Sequence, residues 1–375
     1  MFPFNRAPCP DRAALYLEQA LKGQVSGDGP FTKKCSAWLE GLVAPAKVLL
    51  TTSGSHALEM AARLCGLAPG DEVLMASYTF SSTANAFTAL GARVVFVDIR
   101  PDTMNLDEGL IEEAITERTR VVVPMHYAGV ACEMAAILEI ARRHNLLVVE
   151  DAAQAVMAGY RGRALGGLGD FGCYSFHETK NYCMGEGGAL VVSDAARLES
   201  AEIMREKGTN RSQFFRGQVD KYSWMDWGSS YLPSDLNAAY LWSQLEIAEE
   251  IRLNRLASWT RYRQELTPLA ERGAIELPVV PDGCEHNAHL FYIKAADLEE
   301  RSRLIARIKQ RGCLAVYHYV PLHSAPAGLK FGRFHGRDRF TTSESERLLR
   351  LPLYYRLEEE ALETAVQAII SFYRG

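Results

Sequence analysis

Phe171-Gly172-Cys173-Tyr174-Ser175-Phe176-His177-Glu178-Thr179-Lys180-Asn181, running on through Gly185-Glu186-Gly187-Gly188 to Ala189-Leu190-Val191-Val192, is the stretch whose reading decides the fold. Its apolar runs, 171–176 and 189–192, read as short buried strands, and the polar segment between them carries a lysine. Ser175 stands five residues before Lys180, and the glycine cluster begins five residues after it. A lysine where a sheet ends is suited to carbonyl chemistry. Partial desolvation lowers the pKa of its amine and makes it a nucleophile for an imine. A lone loop lysine is ordinarily a solvated surface group, so this reading depends on what other segments bring beside it.

Upstream, the runs at 47–50, 72–75, 93–97, 120–124 and 146–150 predict strands. The intervening segments 57–65, 82–90, 106–114 and 134–144 predict helices. Asn105 and Asp107 supply the third of these with a cap and a first-turn acid, and Gly66, Gly91 and Asn145 stand at helix stops. Strands alternating with helices predict an α/β fold with a mostly parallel sheet covered on both faces. The pattern breaks at 208–231, where Arg211, Phe214, Phe215, Arg216, Tyr222, Trp224 and Trp227 make a polar, aromatic segment. It predicts a long surface loop or an arm that packs on another chain. A long helix from about 234 past 255 then leads into a smaller α/β domain, with strands at 291–294 and 316–319 and helices at 298–311 and 358–373. The expected domains are 1–248 and 249–375.

With 375 residues, 48% hydrophobic and 23% charged, the chain is long enough for two domains. A net charge of -5 and a pI near 6.0 argue against nucleic-acid or anionic-membrane surfaces, though not against one bound nucleotide. No signal-peptide pattern or membrane-spanning apolar run is present in the sequence. The eight cysteines include no Cys-x-x-Cys pair, which predicts reduced thiols and a cytoplasmic location. His286, His289, His318 and His323 lack an accompanying carboxylate or cysteine ligand pattern, so no metal is expected. Gly185 to Gly188 leads into a strand rather than opening a helix, which excludes a dinucleotide fingerprint.

In a doubly wound sheet, ligands collect at the carboxyl ends of the strands. After the first strand comes Thr51-Thr52-Ser53-Gly54-Ser55, whose hydroxyls and free N–H groups at a helix start make a phosphate cradle. After the second comes Ser77-Tyr78-Thr79-Phe80, with aromatic faces for stacking. After the fifth come Asp151 and Gln154, and a carboxylate buried there requires a cationic partner, such as a protonated pyridine nitrogen. With Ser175 and Lys180, these are the groups that hold pyridoxal phosphate and tune it as an electron sink.

These segments carry a family resemblance. Glu150-Asp151-Ala152-Ala153-Gln154, the Ser175–Asn181 and Gly185–Gly188 segments, and Tyr319-Val320-Pro321-Leu322-His323 resemble the hallmark segments of the DegT/StrS pyridoxal-phosphate sugar aminotransferases. The likeness covers essentially the whole chain and implies the fold type I, aspartate-aminotransferase-like architecture. It implies Lys180 as the imine-forming lysine and Asp151 on the ring nitrogen, with Gln154 near the phenolic oxygen. Phe80 would stack on the ring, and Gly54, Ser55 and Ser175 would hold the phosphate. It places Ser230 where many relatives use an asparagine of the neighbouring subunit, and Lys207 where relatives often have histidine. Active sites shared across a homodimer are thereby implied. Tyr319, His323 and the loop Gly27-Asp28-Gly29-Pro30-Phe31 would face the sugar. Arg211, with Arg216 and Lys221, would be available to its diphosphate.

The longer stretches 121–134 and 205–222 are similar to the branch of that family that aminates the C4 ketone of dTDP-4-dehydro-6-deoxyglucose. That likeness implies glutamate as donor and a galacto product feeding surface glycans such as enterobacterial common antigen and lipopolysaccharide. Amination of another nucleotide keto-sugar, at C3 or with a gluco product or a different nucleotide, is the alternative. A histidine-for-lysine dehydratase of the same lineage is opposed by Lys180 itself. A non-catalytic regulator is opposed by the lack of a helix-turn-helix segment or basic arm.

Overall fold

The computed structural model describes residues 1–374. Its strands are β1 Lys47–Thr51, β2 Glu72–Ala76, β3 Arg93–Val97, β4 Thr119–Val123, β5 Leu147–Asp151, β6 Gly159–Tyr160, β7 Arg163–Ala164, β8 Phe171–Ser175, β9 Gly188–Val192, β10 Cys284–Glu285, β11 Phe291–Lys294, β12 Val316–Tyr317, β13 Gly332–Phe334 and β14 Leu348–Leu351. The principal sheet runs β1-β9-β8-β5-β4-β2-β3-β13. In it β9 is antiparallel to both neighbours and every other pairing is parallel.

Successive side chains enter opposite cores, which is why these strands are apolar without interruption. Leu50, Leu74, Val95, Val122 and Val148 join one cluster; Leu49, Val73, Val94, Val121 and Val149 join the other. Helix Gly54–Leu64 starts at Ser53, whose Oγ accepts from His56 N–H. Helix Met134–His144 ends at Asn145 in the left-handed conformation (φ 53°).

Three expectations change. The helix expected over 106–114 is a 3-10 turn, Glu108–Leu110, followed by Ile111–Ala114. Asp107 caps it, whereas Asn105 is buried and bridges Tyr127 N–H and Val130 O. The long helix from 234 is two, Asp235–Leu245 and Ala248–Glu271. The domain boundary expected at 248/249 is crossed by β13, which extends the principal sheet in parallel beside β3. Asp98, buried at the end of β3, fastens that crossing by accepting from the N–H groups of Arg339, Phe340 and Thr341 and from the Thr341 hydroxyl. The rest of the C-terminal third packs helices Ala248–Glu271, Leu298–Gln310 and Glu359–Phe372 with the antiparallel sheet β11-β14-β12 around a third core.

Glu150, one residue before the end of β5, organises the loop beneath the cleft. Its fully buried carboxylate accepts from Gly166, Leu168 and Gly169 N–H (2.8, 2.6 and 2.7 Å) and from His126 Nε2 (3.0 Å). His126 Nδ1 accepts from Cys132 N–H, which leaves Nε2 to donate to Glu150. Burial pushes the Glu150 carboxyl up, but the His126 and backbone donors more than offset it, and the group titrates below its ordinary 4.5. Its stabilisation is therefore complete above that ordinary value and is lost as pH falls through the lower folded one. Glu150→Ala is expected to cost about 3–5 kcal/mol, read as a lower melting temperature, because three buried amides lose their acceptor. In Glu150→Gln, the part of acid destabilisation that this carboxylate carries should vanish from a pH series of melts.

Candidate active site

At the carboxyl edge of the principal sheet, the ends of β1, β2, β5 and β8 bring most of the expected groups together. Helix Gly54–Leu64 opens directly against Ser175. A Cβ on Gly54 would stand 2.9 Å from Ser175 Cβ, so glycine is what permits the approach. Ser55 Oγ lies 2.7 Å from Ser82 Oγ at the start of helix Ser81–Thr88, which adds a third hydroxyl that sequence reasoning did not single out. A phosphate suits this cradle of glycine, hydroxyls and a helix N-terminus.

Asp151 ends β5 and is buried. Its Oδ2 accepts from Thr83 Oγ1 (2.6 Å) and its Oδ1 from Ala153 N–H (3.1 Å), and it makes no ion pair among the described residues. A buried carboxylate supported only by neutral donors is set for a cation that the chain itself does not provide. Gln154 is also buried. Its Oε1 accepts from Ala128 N–H (2.7 Å) and its Nε2 donates to Tyr319 Oη (3.1 Å). Ala128 holds the left-handed conformation (φ 60°) that turns its N–H inward.

Lys180 stands between these groups. Its Nζ makes no hydrogen bond or ion pair with the described residues. It shares a small cavity with Gln154, Ser175, Asn181 and His289. Burial lowers its amine from 10.5 to about 8; Asp151 acts against that shift and Arg350 with it. An amine near 8 has a substantial neutral fraction at physiological pH, as a nucleophile and proton carrier requires.

Phe80 caps helix Ser81–Thr88, is 57% exposed and lies 6.2 Å from the Tyr319 ring, leaving its face open to a planar ligand. Tyr319 packs edge-on against Tyr78 and Tyr127. The groups fit pyridoxal phosphate on their own chemistry: an anion cradle, an exposed ring, an unpaired buried carboxylate and an unpaired amine.

Other expectations are redirected. His323 does reach the carboxyl end of β2, but Ser77 Oγ lies 2.7 Å from its Nδ1 and Asp338 Oδ2 lies 3.2 Å from its Nε2. Neither ring nitrogen is free for a sugar hydroxyl, because the side chain joins β2 to the segment after β13. The Gly27–Phe31 loop is likewise held from within. Asp28 pairs with Arg205 Nη2 (2.9 Å), Asp235 accepts from Phe31 and Thr32 N–H, and Gly29 leaves no room for a Cβ beside Asp235. Arg211 lies on the short helix Arg211–Phe215, over the Phe215 ring and 3.9 Å from Glu206. Ser230 is exposed and pairs through its backbone with Glu206. Among the described residues, no hydrogen bond or ion pair joins Arg211 or Ser230 to Lys180. Both belong to the 208–231 segment, whose Phe215, Tyr222, Trp224 and Trp227 are exposed.

Arg350 was not anticipated. On β14 it shares a pleat face with Tyr292 and Val316, toward the principal core. Its Nε is buried without a partner, Nη2 donates only to Tyr317 O (3.3 Å), and no carboxylate among the described residues pairs with it. Its charge is felt at Lys180, His289, His318 and Tyr319. The sequence signal was faint: one arginine in an otherwise apolar strand.

Comparison with known proteins agrees with this geometry. Residues 11–370 match the model of the DegT/DnrJ/EryC1/StrS aminotransferase family. The chain is 32% identical over 364 residues to a pleiotropic regulatory protein of Geobacillus stearothermophilus, covering 96% of this chain and 93% of that one. It is 35% identical over 324 residues to dTDP-3-amino-3,4,6-trideoxy-α-D-glucose transaminase of Streptomyces venezuelae, covering 84% and 80%. The aminotransferase TlmJ of Streptoalloteichus hindustanus superposes with a TM-score of 0.91 at 28% identity, covering 100% and 99%. With the parallel sheet, the cradle and the unpaired lysine in place, the chain belongs to the DegT/DnrJ/EryC1/StrS family of pyridoxal-phosphate-dependent sugar aminotransferases, of fold type I.

Proposed function

We propose that the protein transfers the amino group of L-glutamate to C4 of dTDP-4-dehydro-6-deoxy-D-glucose, giving dTDP-4-amino-4,6-dideoxy-D-galactose and 2-oxoglutarate. The observation that carries the transamination reading is the unpaired, desolvated Lys180 amine, lowered to about 8 beside Asp151 and Gln154. The 121–134 and 205–222 stretches support the C4, galacto assignment, and the transaminase relative of S. venezuelae supports a dTDP-linked sugar.

Bound pyridoxal phosphate supplies an electron sink for the negative charge developing at carbon. Lys180 Nζ takes the proton from the donor's α-carbon and, in the second half-reaction, delivers one to C4 of the sugar. The face of C4 that it reaches sets the galacto or gluco configuration. The Asp151 carboxylate, oriented by Thr83 and Ala153 N–H, would hold the cofactor's ring nitrogen in its protonated form. Gln154, held by Ala128 N–H and Tyr319, would serve the cofactor's phenolic oxygen. Tyr319 contributes to the sugar subsite, and Ser230 and Arg211 act across a homodimer whose contact includes the exposed aromatics of the arm. The eight free cysteines support a cytoplasmic location for the enzyme.

Arg350, the unpaired cation near Lys180, would hold the donor carboxylate, a planar anion that its fork can grip at two points. Arg350→Gln is expected to raise KM for glutamate by about 10- to 100-fold while changing KM for the nucleotide sugar by less than about threefold. Equal effects on both values would remove Arg350 from the donor site.

A coupled assay with dTDP-4-dehydro-6-deoxyglucose and glutamate, with product configuration read by NMR, tests the assignment. The sugar in the name of the S. venezuelae relative bears its amine at C3, so a C3 ketone is the second reading. Turnover of a 3-keto substrate with none of the 4-keto sugar would replace the first by the second.

A further inference from the structure

His289 lines the same cavity as Lys180, and the transamination above gives it no part. Its placement is over-determined. Ala288, just before it, is left-handed (φ 50°). The buried Arg255 guanidinium donates to Ala288 O (3.1 Å) and to His289 O (2.7 Å). Asn287 Oδ1 accepts from His289 N–H (3.0 Å), while Asn287 Nδ2 donates to the carbonyls of Gln154 and Val156 (2.9 and 2.8 Å). A backbone strained and tied at this many points fixes a side chain, and the side chain fixed here faces the reactive lysine's cavity.

Asn181 sets the ring's tautomer. Its Nδ2 donates to Asn287 O (2.9 Å), which turns its Oδ1 toward His289 Nδ1 at 2.9 Å. Nδ1 therefore carries the proton, and Nε2 is a lone-pair acceptor with no partner among the described residues. Burial, with the charges of Lys180 from the β8–β9 loop, Arg255 from helix Ala248–Glu271 and Arg350 from β14, keeps the ring neutral. His318, after β12, is also neutral, and Asp151 at the end of β5 is the carboxylate that acts on Lys180.

We propose that His289 is a positioning residue for Lys180: its Nε2, unpaired among the described residues and lining the same cavity, takes a hydrogen bond from Nζ once the amine is protonated and then holds the lysine in place. The idea rests on Lys180 being the reactive amine. A hydrogen bond to the ammonium favours the charged form, so removing the acceptor should lower the pH at which Lys180 titrates.

The test uses full-length protein freed of cofactor and the pH dependence of Lys180 acylation by acetic anhydride, read by mass spectrometry of its peptide. The wild-type midpoint should lie near about 8. His289→Phe should move it down by on the order of one pH unit, about tenfold in the proton equilibrium. His289→Gln, whose amide oxygen is again an acceptor, should restore most of that shift. Asn181→Leu leaves the imidazole in place but frees its tautomer, and should move the midpoint the same way. An unmoved midpoint in folded His289→Phe overturns the proposal. If that variant does not fold, Asn181→Leu decides, a lowered midpoint supporting the proposal and an unmoved one overturning it. Failure of borohydride to fix cofactor to wild-type Lys180 would instead end the transamination reading, and it leaves this titration readable.

Discussion

Lys180→Ala should lower turnover by at least about 10⁴-fold, since in the proposed reaction one amine serves as both nucleophile and proton carrier. Wild-type protein should be yellow with cofactor, and borohydride should fix that cofactor to the Lys180 peptide. The variant should give no covalent adduct at that peptide. Stability should not fall with activity. Lys180 Nζ holds no partner among the described residues, and burial disfavours its charge, so the alanine protein should melt at the wild-type temperature or above it. Activity lost without stability separates chemistry from collapse. A Lys180→Ala protein that still forms a borohydride-stable adduct at another lysine would move the reactive amine elsewhere.

Asp151→Asn should follow with a loss on the order of 10²- to 10³-fold in both half-reactions, the scale for removing one aimed charge from a water-poor site. Cofactor binding should persist, because the proposed phosphate cradle of Gly54, Ser55 and Ser175 lies on helix Gly54–Leu64 and on β8, apart from β5. The amide is nearly the same shape but cannot hold a proton on the ring nitrogen by charge. Thr83 makes the prediction more specific: its hydroxyl donates to Asp151 Oδ2 at 2.6 Å. Thr83→Val should cost about tenfold by leaving that carboxylate less well aimed. Stopped-flow half-reactions at wild-type rates in Asp151→Asn would remove the carboxylate from the mechanism.

The principal sheet was legible because most of its strands are short, mainly apolar runs, such as Val121-Val122-Val123, separated by polar or glycine-containing segments. β13 was not, since Gly332-Arg333-Phe334 has neither length nor alternation and becomes a strand only because β3 offers an open edge. The break after Leu245 left no glycine or proline to mark it. Among site groups, those that end strands were readable from order along the chain. Those defined by distant contacts were not: Thr83 meets Asp151 across 68 residues. His289 was weighed only as a metal ligand, since sequence could not show that Asn181 fixes its tautomer. His323 was assigned to the sugar on the resemblance alone, and the sequence could not show that Ser77, 246 residues away, and Asp338 occupy its nitrogens.

The crossing of β13 into the principal sheet also governs the order in which the chain can finish folding. During synthesis from the amino terminus, β3 must wait with an unsatisfied edge until residues 332–334, far downstream in the chain, have emerged. Asp98 likewise waits for Arg339 to Thr341 before its carboxylate is satisfied. A chain truncated anywhere before residue 332 exposes that edge permanently. The amino-terminal part therefore cannot be released as a quiet, self-sufficient unit, and nascent chains stalled there are the ones most in need of a chaperone.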